Sequence, residues 1–333
     1  MTKNRFFQNK KILVAGASGF IGTHLTKKLS DLGCDIIGTY LNHKPKKKIP
    51  NTKFIKADFT NYQDCLNATK NIDYVFMVAA NTSGAAVMEK TPLAHLTPNV
   101  VMNSQILAAA YENNISKFCF ISSNTVYPVT NFPVKETDVN YEFFPKYFIV
   151  GWMKLFSEIM SQMYAKHIKK PMKTLVIRPG NLYGPYDKFT WKESKVIAAL
   201  IRKSIERHEP FLVWGDGNDL KDFLYIDDFI IGLLKAFETI EDFDTINIAS
   251  SNPVTIKEVL NVILKIDENL SANLKFDTSM PTMIPKRLIN TDKIRKKCNW
   301  KPQISLPEGL ALTINWYKDY YKNVSPENKY DNI

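Results

Sequence analysis

The chain has 333 residues, 45% of them apolar, and a formal net charge of +11. This length and composition are typical of a globular protein with a large buried core, divided into two lobes. The lysines are spread along the chain, and the densest basic run, Lys44 to Lys48, has no interleaved aromatic residues. This spread of the charge along the chain argues against a nucleic-acid-binding protein. The positive sign fits a basic cleft for an anionic small molecule.

The cysteines and the apolar runs exclude further classes of protein. Cys34, Cys65, Cys119 and Cys298 lie far apart with no paired spacing, which argues against a disulfide framework or a zinc site and for a reducing compartment. No metal is expected. The longest apolar runs, such as Tyr74 to Ala80, are too short to span a bilayer, and the first ten residues lack the apolar core of a signal peptide. We therefore expect a cytoplasmic protein that does not bind membranes.

The first motif is a strand, a glycine turn and a helix in that order. Lys11 to Ala15 (KILVA) run into GASGFIG, and an amphipathic stretch from Thr23 to Leu32 follows. Gly16 allows a tight turn off the strand, Gly19 leaves room for a pyrophosphate, and Gly22 lets the helix pack closely on the sheet. The helix N-terminus offers N–H groups to phosphates. The motif predicts a site for a dinucleotide, namely a nicotinamide cofactor.

Strand and helix patterns alternate along the first 250 residues. Such alternation predicts an α/β protein with a Rossmann, doubly wound parallel sheet and a smaller C-terminal substrate lobe. Two long helices are predicted from Pro92 to Asn114 and from Pro145 to His167. The predicted strands are Lys11 to Ala15, Asp35 to Thr39, Lys53 to Lys56, Tyr74 to Val78, Lys117 to Ser122, Lys173 to Arg178 and Thr245 to Ala249.

The character of the chain changes after Arg178, where several segments bounded by proline follow. We predict a dinucleotide-binding domain from residues 1–180 and about 227–250. Residues 181–226 and 251–324 are predicted to form the lobe that closes over the substrate. The polar tail, residues 325–333, is expected to be frayed.

Three polar segments follow neighbouring strands and should converge at the carboxyl edge of the sheet: Val78 to Asn81, Ile121 to Pro128 and Arg178 to Pro185. With these segments the chain resembles the extended short-chain dehydrogenase/reductases, or NAD-dependent epimerase/dehydratases, that act on nucleotide sugars. Trp214 to Phe229 (WGDGNDLKDFLYIDDF) and Pro285 to Asn290 (PKRLIN) are most similar to the GDP-4-keto-6-deoxymannose epimerase-reductases, also known as GDP-fucose synthases. The resemblance covers nearly the whole chain.

The resemblance implies a catalytic serine, tyrosine and lysine, the last two spaced YxxxK on one helix. Ser123 matches the serine, four residues before Tyr127. Lys154 matches the lysine, because Glu158 follows it at the interval usual in the family. Val150 then occupies the position of the tyrosine, which normally exchanges a proton with the sugar oxygen as hydride moves.

Two other positions depart from the epimerase-reductases. Thr125 and Lys195 stand where these enzymes have a cysteine and a histidine, thought to deprotonate and reprotonate carbons beside the ketone. Since a threonine hydroxyl is a poor carbon base, 3,5-epimerisation is expected to be lost, while hydride transfer remains. Tyr147, two helical turns before Lys154, is a possible replacement proton donor, although the rise along a helix separates residues at this spacing by about 10 Å.

The resemblance also implies the binding residues. The cofactor-binding residues would be Gly16, Ser18, Gly19, Phe20, Ile21, Gly22, Tyr40, Asp58, Phe59, Ala79, Ala80, Asn99, Lys154, Pro179, Asn181 and Leu182. The substrate-binding residues would be Asn181, Lys195, Lys203, Trp214, Lys221, Lys286 and Arg287. Cations are needed there because a diphosphate is negatively charged.

The choice between NAD and NADP depends on the end of the second strand. Gly38 to Lys44 (GTYLNHK) lacks the carboxylate that would bind a 2′-hydroxyl, which leaves NADP open. The relatives expected to be nearest, GDP-heptose 4-dehydrogenases that lack the tyrosine, hold NAD tightly, and we therefore expect NAD.

Three functions are compatible with these features. The first is an NAD-dependent oxidoreductase at C4 of a GDP-linked mannose-type hexose or heptose, in capsule or O-antigen sugar synthesis. The second is an epimerase or dehydratase of the same superfamily that uses Tyr147 or a water. The third is a non-catalytic sensor of NAD or a nucleotide sugar. A homodimer or homotetramer is implied by the resemblance.

Overall fold

The structure, a computed structural model, describes residues 6–45, 48–82, 91, 93–191, 193–280 and 282–323. The predicted frayed tail and part of the Lys44 to Lys48 run lie outside the described residues. No helix in the described ranges combines the length and apolar character needed to cross a membrane.

Seven parallel strands form the central sheet, in the order β11-β6-β5-β4-β1-β2-β3. The predicted α/β Rossmann fold is confirmed, and all seven predicted strands fall in this sheet with ends within two residues of those observed. The strands of the described chain are β1 (Lys11–Ala15), β2 (Asp35–Tyr40), β3 (Thr52–Lys56), β4 (Tyr74–Met77), β5 (Lys117–Ile121), β6 (Lys173–Pro179), β7 (Asn181–Tyr183), β8 (Phe211–Trp214), β9 (Leu220–Lys221), β10 (Phe223–Tyr225), β11 (Phe243–Ile248), β12 (Val254–Thr255) and β13 (Leu274–Asp277).

Helices cover both faces of this sheet, since the buried residues of β1 pack alternately into two cores. Ile12 and Val14 pack into one apolar core with Leu25 of the first helix, whereas Leu13 and Ala15 pack into a second core on the opposite face. The helices are α1 (Phe20–Asp31), α2 (Tyr62–Thr69), α3 (Leu93–Glu112), α4 (Phe148–Lys166), α5 (Val196–Ile205), α6 (Ile226–Thr239), α7 (Ile256–Ile266), α8 (Asp292–Cys298) and α9 (Leu306–Asn323).

The strand order reverses between β1 and β4, and ligands of such sheets bind at the carboxyl ends of the strands near this point. The predicted helix from Pro145 begins as a 3-10 turn, Pro145–Tyr147, and continues as α4. Beyond the main sheet, three two-stranded pairs (β7 with β10, β9 with β12, β8 with β13) lie in or beside the predicted lobe. The domain boundaries remain predictions.

Candidate active site

The turn after β1 has the geometry that the glycine spacing predicts. Gly16 adopts φ +90°, and a Cβ on it would lie 2.6 Å from the Cα of Ala79. A Cβ on Gly22 would lie 2.1 Å from the carbonyl oxygen of Gly16. Gly19 is exposed, and its nearest neighbour would be the same oxygen at 3.4 Å. Two glycines are therefore required by packing, and the third leaves an open approach to the backbone.

The N-terminus of α1 faces this approach. Gly19 is its N-cap residue, no side chain caps it by a hydrogen bond, and its first turn carries no acidic residue. The helix dipole and the free N–H groups favour an anion at this position. The turn itself is held from the next strand, since the backbone N–H of Gly16 donates to Oγ1 of buried Thr39 at 2.9 Å. The site thus fits the pyrophosphate of a dinucleotide.

The other residues predicted to bind the cofactor line the same edge of the sheet. The carboxylate of Asp58 is exposed just beyond β3, and its Oδ1 accepts from the backbone N–H and the hydroxyl of Thr60. In or directly after the strands and the glycine turn lie Ser18, Phe20, Ile21, Tyr40, Phe59, Ala79, Ala80, Pro179, Asn181 and Leu182.

Asn99 supports this edge from α3. Its buried side chain accepts from the backbone N–H of Asn81 and donates to the carbonyl of Asn81, both at 2.9 Å, and also donates to the carbonyl of His95. These bonds fix the segment after β4 that faces Gly16. The structure therefore gives Asn99 a positioning role for the cofactor site.

Two hydroxyl groups stand at the end of β5. Ser123 is the N-cap residue of the 3-10 turn Asn124–Val126, and its Oγ accepts from the backbone N–H of Thr125 at 3.2 Å. Its hydroxyl hydrogen remains available for donation. Oγ1 of Thr125 is buried and has no hydrogen-bond partner among the described residues. Because a buried polar atom is usually paired, this hydroxyl is a candidate contact for a ligand.

Lys154 extends from α4 to the same end of β5. Its side chain is buried, and its Nζ donates to the carbonyl oxygen of Ile121 at 2.9 Å, two residues before Ser123. The Nζ also lies 4.9 Å from the centroid of the Phe120 ring. Burial lowers the pKa of this amine to about 8, against a smaller opposite effect of Glu158. Lys154 thus reaches the end of β5, which Ser123 follows by two residues, and half-buried Val150 stands one turn before the lysine.

A buried polar network lies behind these residues. Arg178 donates from Nε and Nη2 to the carboxylate of Glu158, at 3.0 and 2.5 Å, and the Ser122 hydroxyl donates to the same carboxylate. Nη1 of Arg178 donates to the phenol oxygen of Tyr127, whose hydroxyl donates to Asn247 at 2.6 Å. Burial raises the pKa of Tyr127 to about 12. Tyr127 is therefore a structural phenol.

Tyr147 ends the 3-10 turn that precedes α4. Burial raises its pKa to about 12, although Arg287 and the backbone of Ile284 act in the opposite direction. These partners belong to the segment that includes PKRLIN and not to the end of β5. Such a phenol is poorly suited to act as a base near neutral pH.

Several residues predicted to bind the substrate are engaged within the protein. Arg287 is buried, and its Nη1 and Nη2 donate to the carbonyls of Pro128 and Tyr127 at 2.8 and 3.0 Å. Lys203 donates to the carbonyl of Leu212, at 2.6 Å, and burial lowers its pKa. As placed, these cations do not present their charged groups to a diphosphate.

Lys221 is engaged as well, with its Nζ 3.2 Å from Asp219 and also donating to the carbonyl of Ile284. Asn181 donates to the carbonyl of Asp222 at 3.1 Å.

The remaining predicted contacts are more accessible. Trp214 and Lys195 are exposed, and Lys286 is half-buried. The Nζ of Lys195 lies 3.8 Å from Oδ1 of Asp187 and 5.6 Å from the ring centroid of Phe20. Since Phe20 begins α1, the Lys195 ammonium lies close to the dinucleotide site.

His24 is a functional candidate that the sequence patterns did not indicate. Its Nδ1 lies 2.9 Å from Asp227 and its Nε2 2.9 Å from the carbonyl of Pro185, so it ties α1 to the segment after β7. The sequence patterns also did not indicate the hydrogen bonds of Thr39, Arg178 and the Glu158 carboxylate. Their partners are distant in sequence, and only the position of Glu158 relative to Lys154 was a local signal.

Comparison with known proteins agrees with this geometry. The chain is 28% identical to GDP-mannose 3,5-epimerase from Arabidopsis thaliana over 323 residues, covering 94% of this chain and 83% of that protein. It is 26% identical to GDP-L-fucose synthase 1 from the same plant over 318 residues, covering 93% and 94%. Its fold matches UDP-glucose 4-epimerase from Thermotoga maritima with a TM-score of 0.84 at 24% identity, covering 93% and 99%.

Residues 12–249 match the NAD dependent epimerase/dehydratase family. The prediction of NAD is confirmed at the level of this family, and the predicted resemblance is confirmed. The chain belongs to the NAD dependent epimerase/dehydratase family.

Proposed function

We propose that the protein is an NAD-dependent oxidoreductase that acts at C4 of a GDP-linked mannose-type hexose or heptose. One observation carries this proposal: the Lys154 amine reaches the carbonyl of Ile121 at the end of β5, two residues before Ser123, with Val150 in place of the family phenol. A site of this kind retains the groups for hydride transfer. It lacks those that a 3,5-epimerase-reductase uses at carbon, because Thr125 replaces the thiol.

Each group of residues in the site has a separate role in the proposed reaction. Gly16, Gly19 and Gly22 would hold NAD, which supplies the hydride acceptor. The Ser123 hydroxyl, with its oxygen held by the Thr125 N–H, would donate a hydrogen bond to the sugar oxygen at C4. Thr125 would offer its unpaired hydroxyl to a neighbouring group of the sugar.

The substrate class follows from charge and from the relatives. The net charge of +11 and the accessible Lys195 and Lys286 favour an anionic substrate. The two relatives above carry names of GDP-sugar enzymes. We infer a GDP-sugar of surface polysaccharide synthesis as the substrate.

A second candidate is a GDP-sugar epimerase. It is favoured by the name of the relative at 28% identity, GDP-mannose 3,5-epimerase, and by the exposed Lys195, whose ammonium lies 3.8 Å from Asp187. Such an enzyme would exchange carbon-bound hydrogen with solvent, which the oxidoreductase would not.

The test is to incubate the purified protein and NAD with GDP-mannose, its 4-keto-6-deoxy derivative and a GDP-manno-heptose. We expect reduced nicotinamide to appear and the sugar to lose two hydrogens by mass. Deuterium uptake from heavy water without net oxidation would indicate the epimerase instead. Binding without any conversion would leave a sensor and refute the oxidoreductase.

We further propose that the protein is a homo-oligomer. Phe148, Trp152 and Phe156 follow one another at four-residue spacing on α4, with 55%, 38% and 46% of their surfaces exposed. An exposed aromatic stripe of this kind marks an interface. Light scattering should give a dimer or tetramer for the native chain and a smaller species for Phe156→Lys.

A further inference from the structure

Oxidation of a sugar alcohol requires a group that accepts the hydroxyl proton, and Val150 cannot do so. Other phenols near the site are engaged elsewhere. The Tyr127 hydroxyl lies between Arg178 and Asn247. The Tyr147 phenol is stabilised by the backbone of Ile284, and that of Tyr183 donates to the carbonyl of Leu306.

The carboxylates of the described site are engaged too. Both oxygens of Glu158 accept from Arg178, and Oε1 also accepts from Ser122. The Asp222 carboxylate accepts from the backbone N–H groups of Ser250 and Ser251. A proton taken by either group would break an ion pair or a set of buried hydrogen bonds.

Lys154 differs from all of these groups. Its Nζ makes one hydrogen bond, to the carbonyl of Ile121, and this bond needs only one N–H. A neutral amine keeps a second N–H and a lone pair for other partners. Val150, one turn before Lys154, is half-buried and carries no group that can accept a proton or a hydrogen bond.

The surroundings favour the neutral amine. The side chain is 8% exposed and packs against the Phe120 ring. This burial is the main cause of its lowered pKa, about 8, and outweighs the opposite effect of the Glu158 carboxylate, which is paired with Arg178. A pKa near the working pH is the value expected of a general base.

We propose that Lys154 itself is the general base of the reaction, in the role that tyrosine has in relatives of the site. The inference rests on the proposed function. The C4–H bond would break with its electron pair, and NAD, held by the glycine turn, would supply the hydride acceptor and become reduced. The hydroxyl proton goes to Nζ of Lys154, the C4–O bond becomes a carbonyl, and the amine becomes an ammonium.

The first experiment needs no sugar. In protein labelled with ¹³C at the lysine ε carbons, we expect one resonance to titrate near pH 8, in agreement with the pKa of about 8, and to be missing from Lys154→Arg. If the resonance that is missing from Lys154→Arg titrates at the ordinary value for lysine, the inference is wrong.

The second experiment measures single-turnover reduction of NAD with the sugar that the native protein oxidises. Lys154→Arg keeps a cation but has no accessible lone pair. With NAD and sugar at saturating concentrations, it should react about 10² to 10⁴ times more slowly. Lys166→Arg, at the exposed end of the same helix, is the matched control and should react at the native rate.

Chemical rescue separates a base from a cation. Lys154→Ala should regain activity with methylamine, in proportion to the neutral amine and not to its ammonium form. Rescue that follows the ammonium form, or a Lys154→Arg variant as fast as the native protein, would overturn the inference while leaving the proposed function intact. Absence of oxidation by the native protein would instead count against the proposed function.

Discussion

The two halves of the site are built by different means. The dinucleotide turn after β1 is shaped by close backbone contacts of its glycines, and the residues from Gly16 to Thr23 carry no charged side chain. Behind Ser123 and Lys154, in contrast, Arg178 and Glu158 form a buried ion pair. The first half depends on the absence of side chains, and the second depends on charges that must remain paired.

This difference predicts how each half fails. A side chain added to the glycine turn should displace the backbone and act on cofactor binding. A partner removed from the ion pair should leave an uncompensated charge and act on folding. The predictions below test that division in order of their expected effect on stability.

The largest effect is expected for Arg178→Met. It leaves Glu158 and the Tyr127 phenol without their partner, and breaking a buried pair in this way costs about 3–5 kcal/mol. Urea denaturation measures it. Arg295→Met, at an exposed position of α8, is the control and should change stability by less than about 0.5 kcal/mol.

The double variant Arg178→Met with Glu158→Met sharpens the same point. Since it removes both charges, it should be more stable than Arg178→Met alone. A double variant that is as unstable as the sum of its single changes would show that packing, and not the unpaired charge, dominates this region.

Gly22→Ala is expected to have the next largest effect. Its Cβ would lie 2.1 Å from the Gly16 carbonyl, so α1 must move off the sheet, at a cost of about 3 kcal/mol and with loss of NAD binding. Gly19→Ala is the matched variant, because its Cβ clears the same oxygen at 3.4 Å. It should fold normally but weaken NAD binding by about tenfold or more. Calorimetric titration with NAD and thermal denaturation distinguish the two, and equal behaviour would contradict the assigned glycine roles.

These differences also explain what could be predicted from the sequence. The glycine spacing, the seven strands and the matching position of Lys154 are local patterns, and all were predictable. The pairing of Arg178 with Glu158 spans 20 residues, and the Tyr127 to Asn247 bond spans 120. Polar contacts of this range have no sequence period, because the fold alone brings their partners together.

The cationic residues predicted to bind the substrate show what the sequence could not predict. Position alone suggested that Arg287 could grip a diphosphate, but its guanidinium holds two backbone carbonyls of the segment after β5. A sequence shows that a cationic side chain is present. It does not show which acceptor in the folded chain that side chain will bind.

Lys154→Met tests the catalytic half without breaking an ion pair. The pKa of this buried amine is about 8, below its model-peptide value of 10.5, so folding disfavours the ammonium. Below pH 8 this shift lowers the free energy of unfolding of the native protein by about 3 kcal/mol. Methionine removes that cost but also loses the bond to Ile121, which is worth about 1 kcal/mol. The variant should therefore be about 2 kcal/mol more stable at neutral pH.

The sign of its pH dependence follows from proton binding. Between pH 8 and 10.5 the unfolded chain binds the proton more tightly than the folded one, so native stability rises with pH in this window. The advantage of Lys154→Met over the native chain should disappear as the pH approaches 10.5. Urea titrations at both ends of the window measure it, and a constant difference would contradict the shifted pKa.

The smallest predicted effect tests whether the dinucleotide turn is held by backbone shape alone. Oγ1 of Thr39, buried on β2, accepts from the Gly16 N–H at 2.9 Å. Thr39→Val keeps the shape but leaves this N–H unpaired, at a cost of about 1 kcal/mol. If the turn stays rigid, the cost appears only in the free energy of unfolding. If it relaxes until NAD restores it, NAD affinity falls about fivefold instead.

Urea denaturation with and without NAD measures both quantities, with Thr52→Val, whose exposed hydroxyl donates to Pro50, as the control on the neighbouring strand. A Thr39→Val variant that matches this control in both would mean that glycine contacts suffice for the turn. A fall in NAD affinity would mean that even this half of the site depends on one polar side chain from the adjacent strand.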